Sequence, residues 1–125
     1  MMEDIRNKND ISVFVDSFYD KVKRDAKLGP VFLGAITGDW QPHLDKMYAF
    51  WDSVLFGVAG FSGNPFARHA PLPIGQEHFD QWLVLFDETI DSLFSGPVAR
   101  EAKNRAQLIA KIFVSRLTGM KEKRI

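Results

Sequence analysis

The stretch GQEHFDQWLVLFDETIDSLF, residues 75–94, decides the fold. Its apolar side chains Phe79, Trp82, Leu83, Phe86, Ile90 and Leu93 return at intervals of three and four, the period of a helix with one buried face. Gly75 marks where it starts. The same period appears on either side. Upstream, GDWQPHLDKMYAFWDSVLFG (38–57) places His43, Met47, Phe50, Trp51 and Val54 on one stripe. Asp39 is available as a cap, Pro42 is tolerated in the first turn and Gly57 is a stop. Further upstream, NDISVFVDSFYDKVKRDAKLGP (9–30) repeats the pattern with Ile11, Phe14, Val15, Phe18 and Val22, capped by Asn9 or Asp10 and ended by Gly29-Pro30. Downstream, GPVAREAKNRAQLIAKIFVSRLTG (96–119) starts with Pro97 in its first turn and buries Ala102, Ala106, Ile109, Phe113 and Leu117 before Gly119. No strand alternation or internal repeat interrupts these helices. An all-α domain over 1–125 is expected, with 119–125 as a flexible, solvated basic tail.

Charge and composition narrow the function. At 125 residues the chain suits one domain, and its 16 basic residues balance its 16 acidic ones. No basic field therefore points to nucleic acid. The N-terminus MMEDIRNKND lacks the apolar core of a signal peptide, and no run reaches the roughly 18 apolar residues of a membrane span. A cytoplasmic protein without membrane or nucleic-acid partners is expected. With no cysteine, thiolate zinc sites, disulfides and cysteine nucleophiles are excluded. Eleven phenylalanines and three tryptophans suit either a phenylalanine-rich core or a flat ligand.

The remaining irregular segment is VAGFSGNPFARHAPLPI (58–74), with room for one short helical turn around Pro65 to His69. Three histidines without an H-x-x-x-H pair do not make a zinc site, and no G-x-S-x-G elbow is present. Haem is different, because its porphyrin supplies four nitrogens and asks the protein for one axial ligand. His69, followed by Ala70-Pro71, is the natural candidate; read alone, it is more often a surface histidine of a loop. His43 faces the interior, and His78 opens its helix as a neutral surface or cap residue.

Four segments, FYDKVKRDAKLGPVF (18–32), WQPHLDKMYAFWDSVLFG (40–57), NPFARHAPLPIGQEHFDQWLVLFDETI (64–90) and RAQLIAKIF (105–113), together resemble the truncated haemoglobins, most closely their third group. The glycine-pair loops of the other groups are missing, in keeping with that subgroup. The resemblance implies two helix pairs stacked two over two around haem b. It implies that His69 is the proximal ligand of the iron, that Phe32 packs on the haem face, and that Tyr19, His43 and Trp82 are polar distal residues from three helices. Met47 is a candidate for apolar bulk beside the ligand, or for ordinary core packing. Phe86 is a candidate pocket wall, and Lys46 and Arg68 are candidate partners of the haem propionates. The implied function is binding of oxygen, nitric oxide or carbon monoxide at the open position. Nitric oxide dioxygenation and peroxide chemistry are compatible with it, but would need an external reductase, since no flavin or nicotinamide motif is present. The rival reading is a cofactor-free helical interaction module.

Overall fold

Asn7 starts the first helix, α1 (Lys8–Arg24): its extended backbone lets its side chain accept the Asp10 N–H at 3.0 Å. Asp10 answers by accepting the Arg6 N–H at 2.9 Å. The cap therefore lies ahead of the expected Asn9 or Asp10, because Asp10 already stands in the first turn. These and the following contacts come from a computed structural model, which describes residues 2–36, 38–58 and 75–123, with side chains as far as Ser115.

The far end of α1 also differs from expectation. The helix stops at Arg24, where the Asp25 carboxylate accepts the N–H groups of Lys27 and Leu28 at 3.0 and 2.9 Å and folds the chain into a turn. Gly29-Pro30, expected to end α1, instead opens a short helix, α2 (Gly29–Ala35), in whose first turn proline loses no hydrogen bond. Gly29 is required for space: a Cβ there would lie 2.8 Å from the Lys23 carbonyl oxygen. Gln81 reaches across and donates to Asp25 at 2.7 Å, tying this corner to the next long helix but one.

Helix α3 (Gln41–Phe56) has Trp40, not the expected Asp39, at its N-cap; Asp39, one residue earlier, accepts the Gln41 N–H at 3.0 Å, and the helix ends as expected on Gly57 in the left-handed region at φ 68°. Helix α4 is Gln76–Leu93 and α5 is Pro97–Lys123. The latter runs through Gly119, the expected stop. A glycine inside a helix costs only about 1 kcal/mol, and no proline follows to break it. The segment 59–74, with the turn expected at Pro65 to His69, lies outside the described residues.

Among the described residues there are five helices and no strand, so the fold is all-α. Helix α1 packs on α3 and α4, α4 on α5, and α3 on α5, which sets two helix pairs over each other. Phe14, Phe86, Ile11, Val15, Val22 and Ile90 are fully enclosed. Each such side chain is worth about 1.5–3 kcal/mol of transfer from water. Thr89 is buried among them because its hydroxyl donates to the Leu85 carbonyl at 2.7 Å. Of the stripe expected on α3, only Trp51 is fully buried; His43, Met47, Phe50 and Val54 are half-buried. No helix among the described residues is long and apolar enough to cross a membrane.

Candidate functional site

Two of these half-buried residues of α3, Met47 and Phe50, wall a void. Every helix contributes. Helix α1 supplies Phe18 and Tyr19, the α1–α2 corner and α2 supply Leu28 and Phe32, and α3 supplies Met47, Phe50 and Trp51. His78, Phe79 and Trp82 come from α4, and Ile109, Ala110 and Phe113 from α5. The space they surround is about 800 Å³ with its open mouth included.

Its walls are aromatic and ordered. Phe86 stacks on Trp51 at 5.0 Å and on Trp82 at 5.6 Å, and Phe14 and Phe18 meet it edge-on. Trp82 thus has a rigid backing, and Phe18 also meets it edge-on at 5.5 Å. Tyr19 touches Phe18, Phe32, Trp40 and His43. Burial pushes its phenol well above the ordinary tyrosine range, so the hydroxyl keeps its proton and stays a donor.

His78 caps α4: its Nδ1 accepts the Gly75 N–H at 3.0 Å, with the Glu77 carboxylate 3.9 Å away. A neutral ring so bound carries its proton on Nε2. The cap role agrees with expectation; its place on the cavity wall was not foreseen.

The site residues expected from sequence fall into three sets. Tyr19, Phe32, Met47 and Trp82 line the cavity together. His43 stands one ring further out, 5.0 Å from Tyr19 by ring centroids, and Phe86 lies behind Trp82 in the core at 1% exposure. Lys46 is exposed on α3, while Arg68 and His69 lie outside the described residues. Trp40 was not expected here, yet it packs on both Tyr19 and His43. Its spacing, three residues before His43, is the signal that could have found it.

Such a cavity fits a flat, apolar cofactor that brings its own metal-binding nitrogens. Five helices offer it aromatic faces, and a few N–H and O–H donors sit among them. No cluster of three histidine, cysteine, aspartate or glutamate side chains among the described residues is arranged for a bare metal ion. Haem, which asks one protein ligand, suits these residues.

Comparison with known proteins agrees. The model of the bacterial-like globin family matches residues 1–114. The group 3 truncated haemoglobin ctb of Campylobacter jejuni is 36% identical over 115 residues, covering 89% of this chain and 91% of that one. The crystal structure of a group III truncated haemoglobin from Campylobacter jejuni superposes with a TM-score of 0.86 at 36% identity, over 94% of this chain and 95% of that one. A truncated oxygen-avid haemoglobin from Bacillus subtilis follows at TM-score 0.74 and 25% identity, over 86% and 93%. The fold is that of a globin. The chain belongs to the truncated haemoglobins, in their third group. Membership implies haem and the binding of a diatomic gas such as oxygen.

Proposed function

We propose that the protein would hold haem b through a single iron ligand, His69, and that Tyr19, Trp82 and His43 would control the oxygen that the haem binds. The observation that carries this reading is that Tyr19 and Trp82, from different helices, both line a largely apolar cavity, with His43 against Tyr19. When bound, ferrous haem supplies the gas-binding position and shifts negative charge onto oxygen.

The chain's part is to meet that charge. The Tyr19 hydroxyl, held protonated by burial, and the Trp82 indole N–H are donors in a low dielectric, where a hydrogen bond to a charged acceptor is strongest. Phe32, Met47 and Phe50 exclude water from the same space, and Phe86 holds Trp82 in place from behind. Lys46 and Arg68 are the cations for the cofactor's carboxylates. Nitric oxide and carbon monoxide are ligands of the same position, and any turnover draws electrons from a separate reductase. A cofactor-free interaction module would leave this cavity without a use.

The experiment is ligation. His69→Gly should hold haem poorly and recover it with added imidazole, whereas His78→Ala should keep the wild-type ferrous spectrum. Stoichiometric haem with an unchanged ferrous spectrum in His69→Gly removes the assignment.

A further inference from the structure

Trp40 occupies the N-cap position of α3, so one turn brings it beside His43. The two rings meet at 5.9 Å with planes at 90°. Trp40 also meets Tyr19 at 6.2 Å and 60°, and Tyr19 meets His43 at 5.0 Å and 83°. The three rings therefore touch pairwise, each edge to face. On α1, Lys23 follows Tyr19 by one turn and sets its ammonium 4.3 Å from the centre of the Trp40 ring. Lys23, Trp40 and His43 are half-buried and Tyr19 is buried, so the series leads from the surface to the cavity wall.

We propose that Trp40, clamped by Lys23, is a positioning residue for the Tyr19–His43 pair and the latch on ligand passage between solvent and the cavity. The proposal rests on the functional reading above. Trp40 is not among the residues that line the cavity. It acts by holding the imidazole between two perpendicular rings, so that His43 cannot swing outward unless the indole leaves first. Moving the indole breaks two ring contacts and the cation contact together. Each is modest alone, but one side chain carries all three. Tyr19 depends on the same indole for part of its outer support, so the latch also sets the direction of the phenol.

The test uses the ferrous carbon monoxide complex, with two readouts: association after flash photolysis and the infrared C–O stretch, which senses donors near the ligand. Trp40→Ala should speed association about ten-fold or more and broaden or split the stretch, as Tyr19 and His43 sample several orientations. Trp40→Phe, which keeps an edge-to-face ring, should restore most of both. Lys23→Met keeps the apolar stem without the charge and should speed association about two- to five-fold. An unchanged rate and an unchanged band in Trp40→Ala overturn the proposal. If that variant does not fold, an unchanged rate in Lys23→Met overturns it instead. Absence of a Soret band when haem is added to the wild-type chain overturns the functional reading and this proposal with it; bound haem with unaltered carbon monoxide behaviour in the variants overturns this proposal alone.

Discussion

The two ends of α4 are built for opposite purposes. At its N-terminal end His78, Phe79 and Trp82 face a void. At its C-terminal end Ile90 and Phe94 pack with Ile5 and Ala99 at 0 to 8% exposure, and the hollow beside them is a more open one with charged walls, Asp91, Arg100 and Lys103 among them. The N-terminal segment closes that end. Asp4 accepts the Val98 and Ala99 N–H groups at 2.9 and 2.8 Å, Ser95 N–H donates to the Glu3 carbonyl at 3.0 Å, and Gly96, at φ 145°, leaves room for the Asp4 carboxylate. One helix thus anchors the fold at one end and leaves space for a ligand at the other. Stability and ligand binding should be separable by substitution along it.

The sharpest test uses one residue type at both ends. Phe79 and Phe94 are each 8% exposed, so simple burial predicts equal losses on truncation. Phe94 belongs to the main core, with only a surface hollow beside it, whereas Phe79 belongs to a small cluster with Ala110 and lines the aromatic cavity. In the haem-free protein, Phe94→Ala should cost about 3–5 kcal/mol and Phe79→Ala no more than about 2–3 kcal/mol, by urea unfolding. Equal costs would show that the two ends are packed alike.

Next in size is the hydrogen bond from Tyr19. A bond to a charged partner is worth roughly 1.5–3 kcal/mol, so Tyr19→Phe should speed oxygen release about ten- to a hundred-fold while leaving the urea midpoint nearly unchanged. Carbon monoxide, nearly uncharged when bound, should respond much less. Stopped-flow release from Tyr19→Phe, Trp82→Phe and the double variant tests for coupling, since loss of one donor lets another turn inward. Wild-type release in all three would remove the polar wall from the mechanism.

The end with the cavity was the more legible in the sequence. Periodicity alone marks Phe79, Trp82, Phe86 and Ile90 as one face, and the resemblance to truncated haemoglobins picks Tyr19 and Trp82 from the aromatic residues. What periodicity cannot tell is which apolar residue fills a core and which borders a space: Phe86 and Phe79 look alike in sequence, yet one is enclosed and the other lines the cavity. The closed end was illegible for another reason. Asp4 and Ile5 belong to no periodic pattern, and their role depends on contacts 94 and 95 residues away. Likewise, Gly29-Pro30 reads equally as a helix stop and a helix start; the Asp25 turn before it decides.

Asp4 gives the third prediction. Desolvation alone would raise its pKa, but the N–H groups of Val98, Ala99 and Ile5 and the charge of Arg100 outweigh that, and the net shift is downward. A depressed carboxylate adds stability above its unfolded pKa and loses it as pH falls through the folded value. Asp4→Ala should therefore cost about 1–2 kcal/mol at neutral pH, the usual range for a lost cap, and flatten the acid limb of stability. The ferrous spectrum should not change. A spectral change would mean that the closed end reaches the site.

The smallest effect is expected between the two ends, at Asp87. Burial raises its pKa, and the neighbouring Asp91 raises it further, while Lys103 pulls the other way. Lys103 is already engaged, donating to Asp91 at 2.7 Å, and the Asp87 Oδ1 atom is buried without a hydrogen-bond partner among the described residues. The sign is opposite to that at Asp4. A folded pKa above the unfolded one means that the folded chain holds the proton more tightly, so stability falls as pH rises from the unfolded pKa through the folded one, and the ionised carboxylate is a burden at pH 7. Asp87→Asn removes the charge and keeps the shape. It should stabilise the protein at pH 7 by about 0.5 kcal/mol, small because water screens much of a half-exposed group. At pH 3, where aspartates are largely protonated in either state, the gain should vanish. Urea midpoints at the two pH values decide it: a loss at pH 7 would mean that attraction to Lys103 exceeds the combined effect of burial and Asp91, making this helix contact an ion-pair network rather than a strained carboxylate.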